Sequence, residues 1–117
     1  MIIDDPAIPT NGGEASPVRY RTALIDGIKM FYREAGNPDA PVILLLHGFP
    51  SSSRMFATLI PMLSSRYRLI APDFPGFGHS DAPSPEAFSY TFDHLAHYVG
   101  RLLSQLNISR YTLYLQD

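Results

Sequence analysis

The feature that most constrains the fold is a run of five apolar residues, Val42–Leu46 (VILLL), which ends at the turn-forming sequence HGFP. A strand with apolar side chains at every position needs cover on both faces, which is typical of a parallel sheet. A second short apolar segment, Tyr67–Ala71 (YRLIA), ends in a similar way at PDFPGFG. We therefore predict parallel strands whose carboxyl ends carry structured loops.

The residues before Val42 divide into a leader and a hairpin. Residues 1–16 hold two prolines and two glycines among few apolar side chains, which predicts a flexible leader. Two alternating segments, Val18–Ile25 and Ile28–Glu34, flank Asp26-Gly27, and this pair favours a tight hairpin turn. Residues 17–117 are then predicted to form one structural unit that begins with an antiparallel hairpin.

Two helices are predicted between the strands. Apolar residues from Met55 to Leu63 recur at helical spacing, although Pro61 limits how far a regular helix extends. Thr91–Ile108 is the clearest helix, because its leucines follow the helical period and Thr91 can cap the first turn. The extended sequence YTLYLQD follows it. This alternation predicts the α/β fold class, with a mostly parallel sheet and an N-terminal antiparallel hairpin.

Composition argues against several classes of function. Among 117 residues, nine are basic and eleven acidic, and no basic block occurs, so charge-driven binding to nucleic acid or membrane is not expected. The chain has no cysteine, which removes disulfides, thiolate metal sites and cysteine nucleophiles. Its longest apolar run is too short to cross a bilayer, and its acidic start is unlike a signal peptide. These features predict a cytoplasmic globular protein.

The carboxyl ends of the predicted parallel strands are the expected ligand site, as in other open parallel sheets. His47, Gly48, Phe49 and Pro50 follow the first strand, and a turn at Gly48 would free the Phe49 amide as a donor to an anion. An ordinary strand-to-helix turn with a buried histidine is the alternative. Asp117 follows the last strand, where a carboxylate suits a nucleophile, a general base or a metal ligand. A solvated chain end is equally compatible with the sequence.

The loop from Asp73 to Asp81 (DFPGFGHSD) follows the second parallel strand. Its GFG begins like a dinucleotide fingerprint, but the third glycine and a directly following helix are missing, so no nucleotide cofactor is predicted. A loop held by hydrogen bonds from Asp73, Ser80 and Asp81 is the favoured interpretation, with His79 structural rather than catalytic. The histidines of the long helix, His94 and His97, are not accompanied by the carboxylate pattern of a metal site, and no metal site is predicted there.

Three motifs, LLLHGFPSSS, YRLIAPDFPGFGHSDAP and YTLYLQD, resemble those of the α/β-hydrolase fold in their order and separation. They look most like its aspartate-nucleophile branch, which includes epoxide hydrolases, haloacetate dehalogenases and haloalkane dehalogenases. The serine elbow G-x-S-x-G of esterases is absent from the sequence. The resemblance covers Val18 to Asp117 and implies the first half only of the catalytic core, with the cap, the acid and the histidine further along.

The resemblance also implies a role for each candidate residue. Asp117 would be the nucleophile, forming a covalent ester with an epoxide or a carbon that bears a halide. Phe49 would supply a backbone amide to the oxyanion hole, while His47, Gly48 and Pro50 would contact the small-molecule substrate. Haloalkane dehalogenases usually have asparagine at the position of Phe49, to hold the leaving halide. Phenylalanine therefore favours an epoxide hydrolase or a haloacetate-type dehalogenase.

Two alternatives remain at the level of the sequence. One is an ester or lactone hydrolase of the same fold, and the other is a non-catalytic fragment without the acid and the histidine. The expected partners are the substrate and the C-terminal half of the same enzyme, with no cofactor, nucleic acid or membrane. We expect the 117-residue chain alone to be inactive, because an ester on Asp117 would stall without a histidine to activate water.

Overall fold

The structure is a computed structural model that describes residues 17–48 and 51–116. Its strands are β1 (Arg19–Ile25), β2 (Ile28–Ala35), β3 (Val42–Leu46), β4 (Arg68–Pro72) and β5 (Thr112–Leu115). They form one mixed sheet in the order β1-β2-β4-β3-β5. Among the described strands, β2 alone runs antiparallel to its neighbours, and the other four share one direction. The predicted N-terminal hairpin and the predicted parallel strands are both confirmed.

The turn between β1 and β2 has the conformation that its sequence predicts. Asp26 and Gly27 both have positive φ, at 47° and 82°. Two such residues in succession form the primed turn whose twist matches that of the flanking strands. The turn sets the register of the hairpin, in which Tyr20 lies opposite Arg33.

The helices follow the predicted positions with two differences. The first predicted helix is divided, and the second ends three residues before the predicted Ile108, where Asn107 adopts the left-handed conformation (φ 60°) that ends a helix. The segment predicted as a single short helix is split into a 3-10 helix (Ser53–Phe56) and a one-turn helix α1 (Leu59–Leu63). The long helix α2 spans Phe92–Gln105. Its predicted cap is confirmed, because the Thr91 hydroxyl accepts a hydrogen bond from the His94 backbone N–H at 3.2 Å.

The sheet is covered on both faces, as the apolar run in β3 predicts. Leu44 points into the core beneath α2, and its neighbour Leu45 points into the core beneath the 3-10 helix and α1. Both side chains are fully or almost fully buried. Burial of a leucine contributes about 1.5–3 kcal/mol to folding, so the two faces of β3 hold the layers together.

The described part of the sheet ends at β5, which pairs with β3 on one side. All four of its residues are exposed, including Leu113 at 51% and Leu115 at 60%. The Gln116 backbone N–H donates to the Leu46 carbonyl at 3.0 Å, so the carboxyl ends of β3 and β5 are adjacent.

Residues 1–16 and Asp117 lie outside the described residues, and the leader and the extent of the domain therefore remain predictions. No helix in the described ranges is long and apolar enough to span a membrane. The cytoplasmic location also stays a prediction.

Candidate active site at the carboxyl ends of the strands

The loops that follow β3 and β4 meet the end of β5 around a small cavity. Its volume is about 110 Å³, and its lining is largely apolar. The cavity opens where ligands bind in parallel sheets, outside the carboxyl ends of the strands. The lining residues are Leu46, His47, Gly48, Phe74, Phe92, Ala96, Leu115 and Gln116.

His47 uses both of its ring nitrogens to bind backbone groups. Its Nε2 accepts a hydrogen bond from the Phe74 N–H at 3.1 Å, and its Nδ1 lies 2.9 Å from the Gly48 carbonyl. Since Nε2 accepts, the proton belongs on Nδ1, which donates to that carbonyl. His47 is only 1% exposed, so it ties the end of β3 to the loop after β4.

The protonation state of His47 follows from its burial. Burial lowers the pKa of His47 below the usual value of a histidine, although the Gly48 carbonyl and the Asp73 carboxylate oppose the shift. His47 is therefore neutral near pH 7 in the folded protein. The imidazole ring of His47 takes up a second proton more readily in the unfolded chain than in the folded one. Protonation of His47 therefore destabilises the fold as the pH falls below about 6.5.

Asp73 holds the two loops in place from a fully buried position. Its Oδ1 accepts from the Ser53 N–H at 2.6 Å, and its Oδ2 accepts from the His79 N–H at 2.8 Å. Gly78, with φ of 53°, lies so close that a Cβ there would be 2.1 Å from Asp73 Oδ2. The second glycine of GFG is thus required by the approach of the carboxylate rather than by a phosphate.

The rest of this loop is fastened to β2. The Ser80 hydroxyl donates to the Asp73 carbonyl and accepts from the Phe31 N–H, each at 2.8 Å. The Asp81 carboxylate accepts from the Lys29 N–H at 2.8 Å. These contacts confirm the prediction that Asp73, Ser80 and Asp81 shape the loop through hydrogen bonds.

Of the predicted site residues, the structure describes His47 and Gly48, and both line the cavity. Phe49, Pro50 and Asp117 lie outside the described residues, so their roles remain predictions. Their described neighbours are well anchored: the Gly48 carbonyl accepts from the Ser51 N–H at 3.0 Å.

Arg33 supports the site, although it was not among the site residues predicted from the sequence. Its Nε donates to the Ser53 hydroxyl at 2.9 Å, and Ser53 in turn donates its N–H to Asp73. This chain of contacts connects β2 to both loops. The sequence held one indication of this position: alternation along β2 places Arg33 on the same face as Lys29 and Phe31.

Replacing Asp73 by asparagine will lower the free energy of unfolding by about 2–3 kcal/mol, because one backbone N–H then faces an amide NH₂ instead of a carboxylate oxygen. Denaturant unfolding of the full-length protein that contains this chain measures the change. Asp39→Asn, at an exposed position, is the matched control and should change stability by about 0.5 kcal/mol or less. Equal changes in the two variants would contradict the bracing role of Asp73.

Comparison with known proteins agrees with this architecture. The family profile described as alpha/beta hydrolase fold matches residues 41–115. The matched segment includes β3, β4, α2 and β5 together with the loops that form the cavity. The chain belongs to the alpha/beta hydrolase fold family.

The chain is similar to several individual hydrolases. An uncharacterized hydrolase of Saccharomyces cerevisiae, YNR064C, is 49% identical over 98 residues, which are 84% of this chain and 33% of the relative. A crystal structure of a haloalkane dehalogenase, the DbeA-M1 loop variant from Bradyrhizobium elkanii, has a TM-score of 0.80 at 36% identity and covers 86% of this chain and 32% of that chain.

An epoxide hydrolase, VrEH1 from Vigna radiata, has a TM-score of 0.77 at 38% identity, covering 86% of this chain and 32% of that chain. The chain thus spans about a third of the length of each of these three relatives.

Proposed function

We propose that this chain is part of a hydrolase in which Asp117 attacks an epoxide or a carbon–halogen bond and forms a covalent ester. The observation that supports the proposal most strongly is the hydrogen bond from the Gln116 N–H to the Leu46 carbonyl. It brings the end of β5 beside His47 and Gly48, and the next residue in the chain is a carboxylate. Esterases with the G-x-S-x-G elbow use serine as the nucleophile instead.

The proposed reaction has two steps. First, a carboxylate oxygen of Asp117 bonds to the substrate carbon, and either a halide leaves or the epoxide C–O bond breaks to give an alkoxide that takes up a proton. Water then loses a proton to a base and attacks the ester carbonyl, whose electron pair moves onto its oxygen. The backbone amides of Phe49 and of the residue after Asp117 would stabilise that oxyanion. Collapse of the intermediate releases the alcohol and restores the carboxylate.

His47 is unsuited to be the base that activates this water. Both of its ring nitrogens are engaged by the backbone, and the ring is buried. We propose that His47, Gly48 and Pro50 contact the substrate only as parts of the cavity wall. The base is then the histidine that the resemblance implies outside the chain described here.

The relatives are compatible with both branches of this chemistry. One is called a haloalkane dehalogenase and another an epoxide hydrolase, and their identities to this chain differ little, at 36% and 38%. Both names denote cleavage of a bond at a saturated carbon. Phe49 cannot hold a halide through a side-chain amide, which favours the epoxide or haloacetate branch.

The edge of β5 that has no strand partner among the described residues supports the predicted partner. Its exposed backbone and the exposed side chains of Leu113, Leu115 and Phe92 are suited to pairing with a further strand and to packing against a further helix. We propose that the C-terminal half of the same enzyme covers this edge and supplies the acid and the base. The 117-residue chain alone is then inactive.

A single-turnover experiment in oxygen-18 water tests the ester mechanism in the full-length protein. With enzyme in excess over an epoxide or haloacetate substrate, the product should carry unlabelled oxygen from the Asp117 carboxylate. The heavy oxygen should appear in the peptide that contains Asp117, because water attacks the ester carbonyl. Mass spectrometry of product and peptide measures both.

Repeated turnovers with excess substrate provide the internal control, since the product should then become labelled. A labelled product in the first turnover would mean direct attack by water and would exclude the covalent ester. Turnover of carboxylic esters with none of epoxides or haloacetates would favour the ester or lactone hydrolase.

A further inference from the structure

A second concavity lies on the face of the β1–β2 hairpin that is turned away from α2. Its volume is about 640 Å³. The hairpin supplies its floor, and the 3-10 helix and the loop after β4 supply its walls. It lies toward the sheet edge opposite β5 and shares no lining residue with the cavity beside His47. We call it the hairpin groove; it is lined by Tyr20, Thr22, Lys29, Phe31, Arg33, Arg54, Ala57 and His79.

The hairpin groove concentrates positive charge in a chain whose net charge is −2. Lys29, Arg33 and Arg54 line it, and no carboxylate is among its described lining residues. The ion pairs found within the described ranges use other arginines. Two carboxylates touch groove residues through backbone N–H groups only: Asp81 accepts from Lys29, and the buried Asp73 accepts from His79. The two exposed cations, Lys29 and Arg54, therefore have no ion-pair partner among the described residues and are available to an anion.

Arg33 is held in a fixed position within the groove. Its Nε is bound to the Ser53 hydroxyl, and its guanidinium carbon lies 5.0 Å from the centre of the Tyr20 ring and 5.6 Å from that of Phe31. Contact with the two ring faces stabilises the guanidinium group. Because only 8% of Arg33 is exposed, little side-chain freedom remains to be lost when a ligand binds.

The aromatic side chains offer a second kind of contact. Tyr20 stacks on Phe31 with ring centres 6.0 Å apart, and His79 meets the edge of Phe31 at 5.0 Å. Tyr20 is nevertheless 64% exposed, so much of its surface is open to a ligand. A flat ligand body can stack on such rings while its charged end pairs with the cations.

We propose that the hairpin groove binds a small organic anion in which a phosphate or carboxylate group is attached to a flat apolar body. Guanidinium groups match the geometry of both kinds of oxyanion, and the ammonium group of Lys29 adds a mobile charge. The volume of the groove is within the range of small-molecule sites. Nothing in this assignment depends on the hydrolase reaction, since the groove and the cavity beside His47 have separate linings.

Titration of the full-length protein with four probes tests the ligand chemistry. Phenyl phosphate and benzoate carry both features, inorganic phosphate has only the charge, and benzyl alcohol has only the ring. At least one of the two aromatic anions should bind about tenfold more tightly than either single-feature probe, since both contacts contribute. The tighter of the two identifies the head group. Calorimetry gives the affinities, and equal affinity for benzyl alcohol would overturn the proposal.

Substitutions locate the site independently of enzymatic turnover. Lys29→Gln and Arg54→Gln change exposed side chains. Each should lower the affinity for the aromatic anion by about 3- to 10-fold through loss of a charged contact. Arg110→Gln removes an exposed arginine just before β5, at the opposite edge of the sheet, and should leave the affinity within about twofold. Equal weakening by all three variants would show non-specific attraction and contradict the assignment.

The acidic N-terminal segment is the competing occupant. Residues 1–16 contain Asp4, Asp5 and Glu14 but no lysine or arginine. Removal of residues 1–16 should leave the affinity for the aromatic anion within about twofold if the groove serves an external ligand. A gain of about tenfold or more would mean that this segment competes for the cations, and the small-molecule assignment would be wrong.

Discussion

Replacement of Asp117 by asparagine will abolish ester formation and lower kcat of the full-length protein by on the order of 10⁴-fold or more, as expected when a nucleophile is lost. Aspartate and asparagine are nearly isosteric, so the fold should survive the change. Steady-state turnover of an epoxide or haloacetate substrate measures the loss. Mass spectrometry of rapidly quenched wild-type enzyme should locate the substrate-derived mass on the peptide that contains Asp117.

The measurement on Asp117→Asn needs two controls. Deamidation of asparagine regenerates aspartate, so freshly prepared protein is required. Asp39→Asn makes the same chemical change at an exposed position and should retain the wild-type kcat. Full activity in fresh Asp117→Asn, or an adduct on another peptide, would end the assignment of the nucleophile.

Phe49→Pro is expected to lower kcat by on the order of 100-fold or more, because proline has no backbone N–H to stabilise the oxyanion. Phe49→Leu keeps that N–H and an apolar side chain, so it should retain most of kcat. Comparison of the two variants by steady-state kinetics separates the backbone contribution from that of the ring.

Circular dichroism and thermal unfolding should accompany these measurements, since proline can also disturb the turn after Gly48. A Phe49→Pro protein that keeps its fold and its substrate KM but loses kcat supports the oxyanion role. Small and equal losses in the two folded variants would exclude it.

Much of the secondary structure could be predicted from local signals. The apolar run Val42–Leu46 coincides with β3, and Asp26-Gly27 adopts the turn that its residue types favour. Thr91 caps α2 as predicted. The helix around Pro61 was predicted as one piece, whereas the structure has two short pieces, which bury Phe56 and Ile60 beneath the sheet. Apolar spacing alone does not show such a division.

The candidate site could be predicted only in part, because its contacts join distant parts of the chain. The motif around His47 identified the region, but the acceptor role of Nε2 depends on the Phe74 N–H, 27 residues away. Asp73 and Ser80 were expected to shape their own loop. The structure shows that they also hold Ser53 and Phe31, which are 20 and 49 residues distant in sequence.

The sequence by itself determined the α/β class, the hairpin and the parallel strands, because each depends on residue types at short spacing. It also determined the family resemblance, which depends on the order and separation of three motifs. The tertiary structure decided the strand order, which placed β4 between β2 and β3. It also decided that Arg33 reaches Ser53 and shares a groove with Arg54. Such placements arise from packing between segments that are remote in the chain, and no local pattern encodes them.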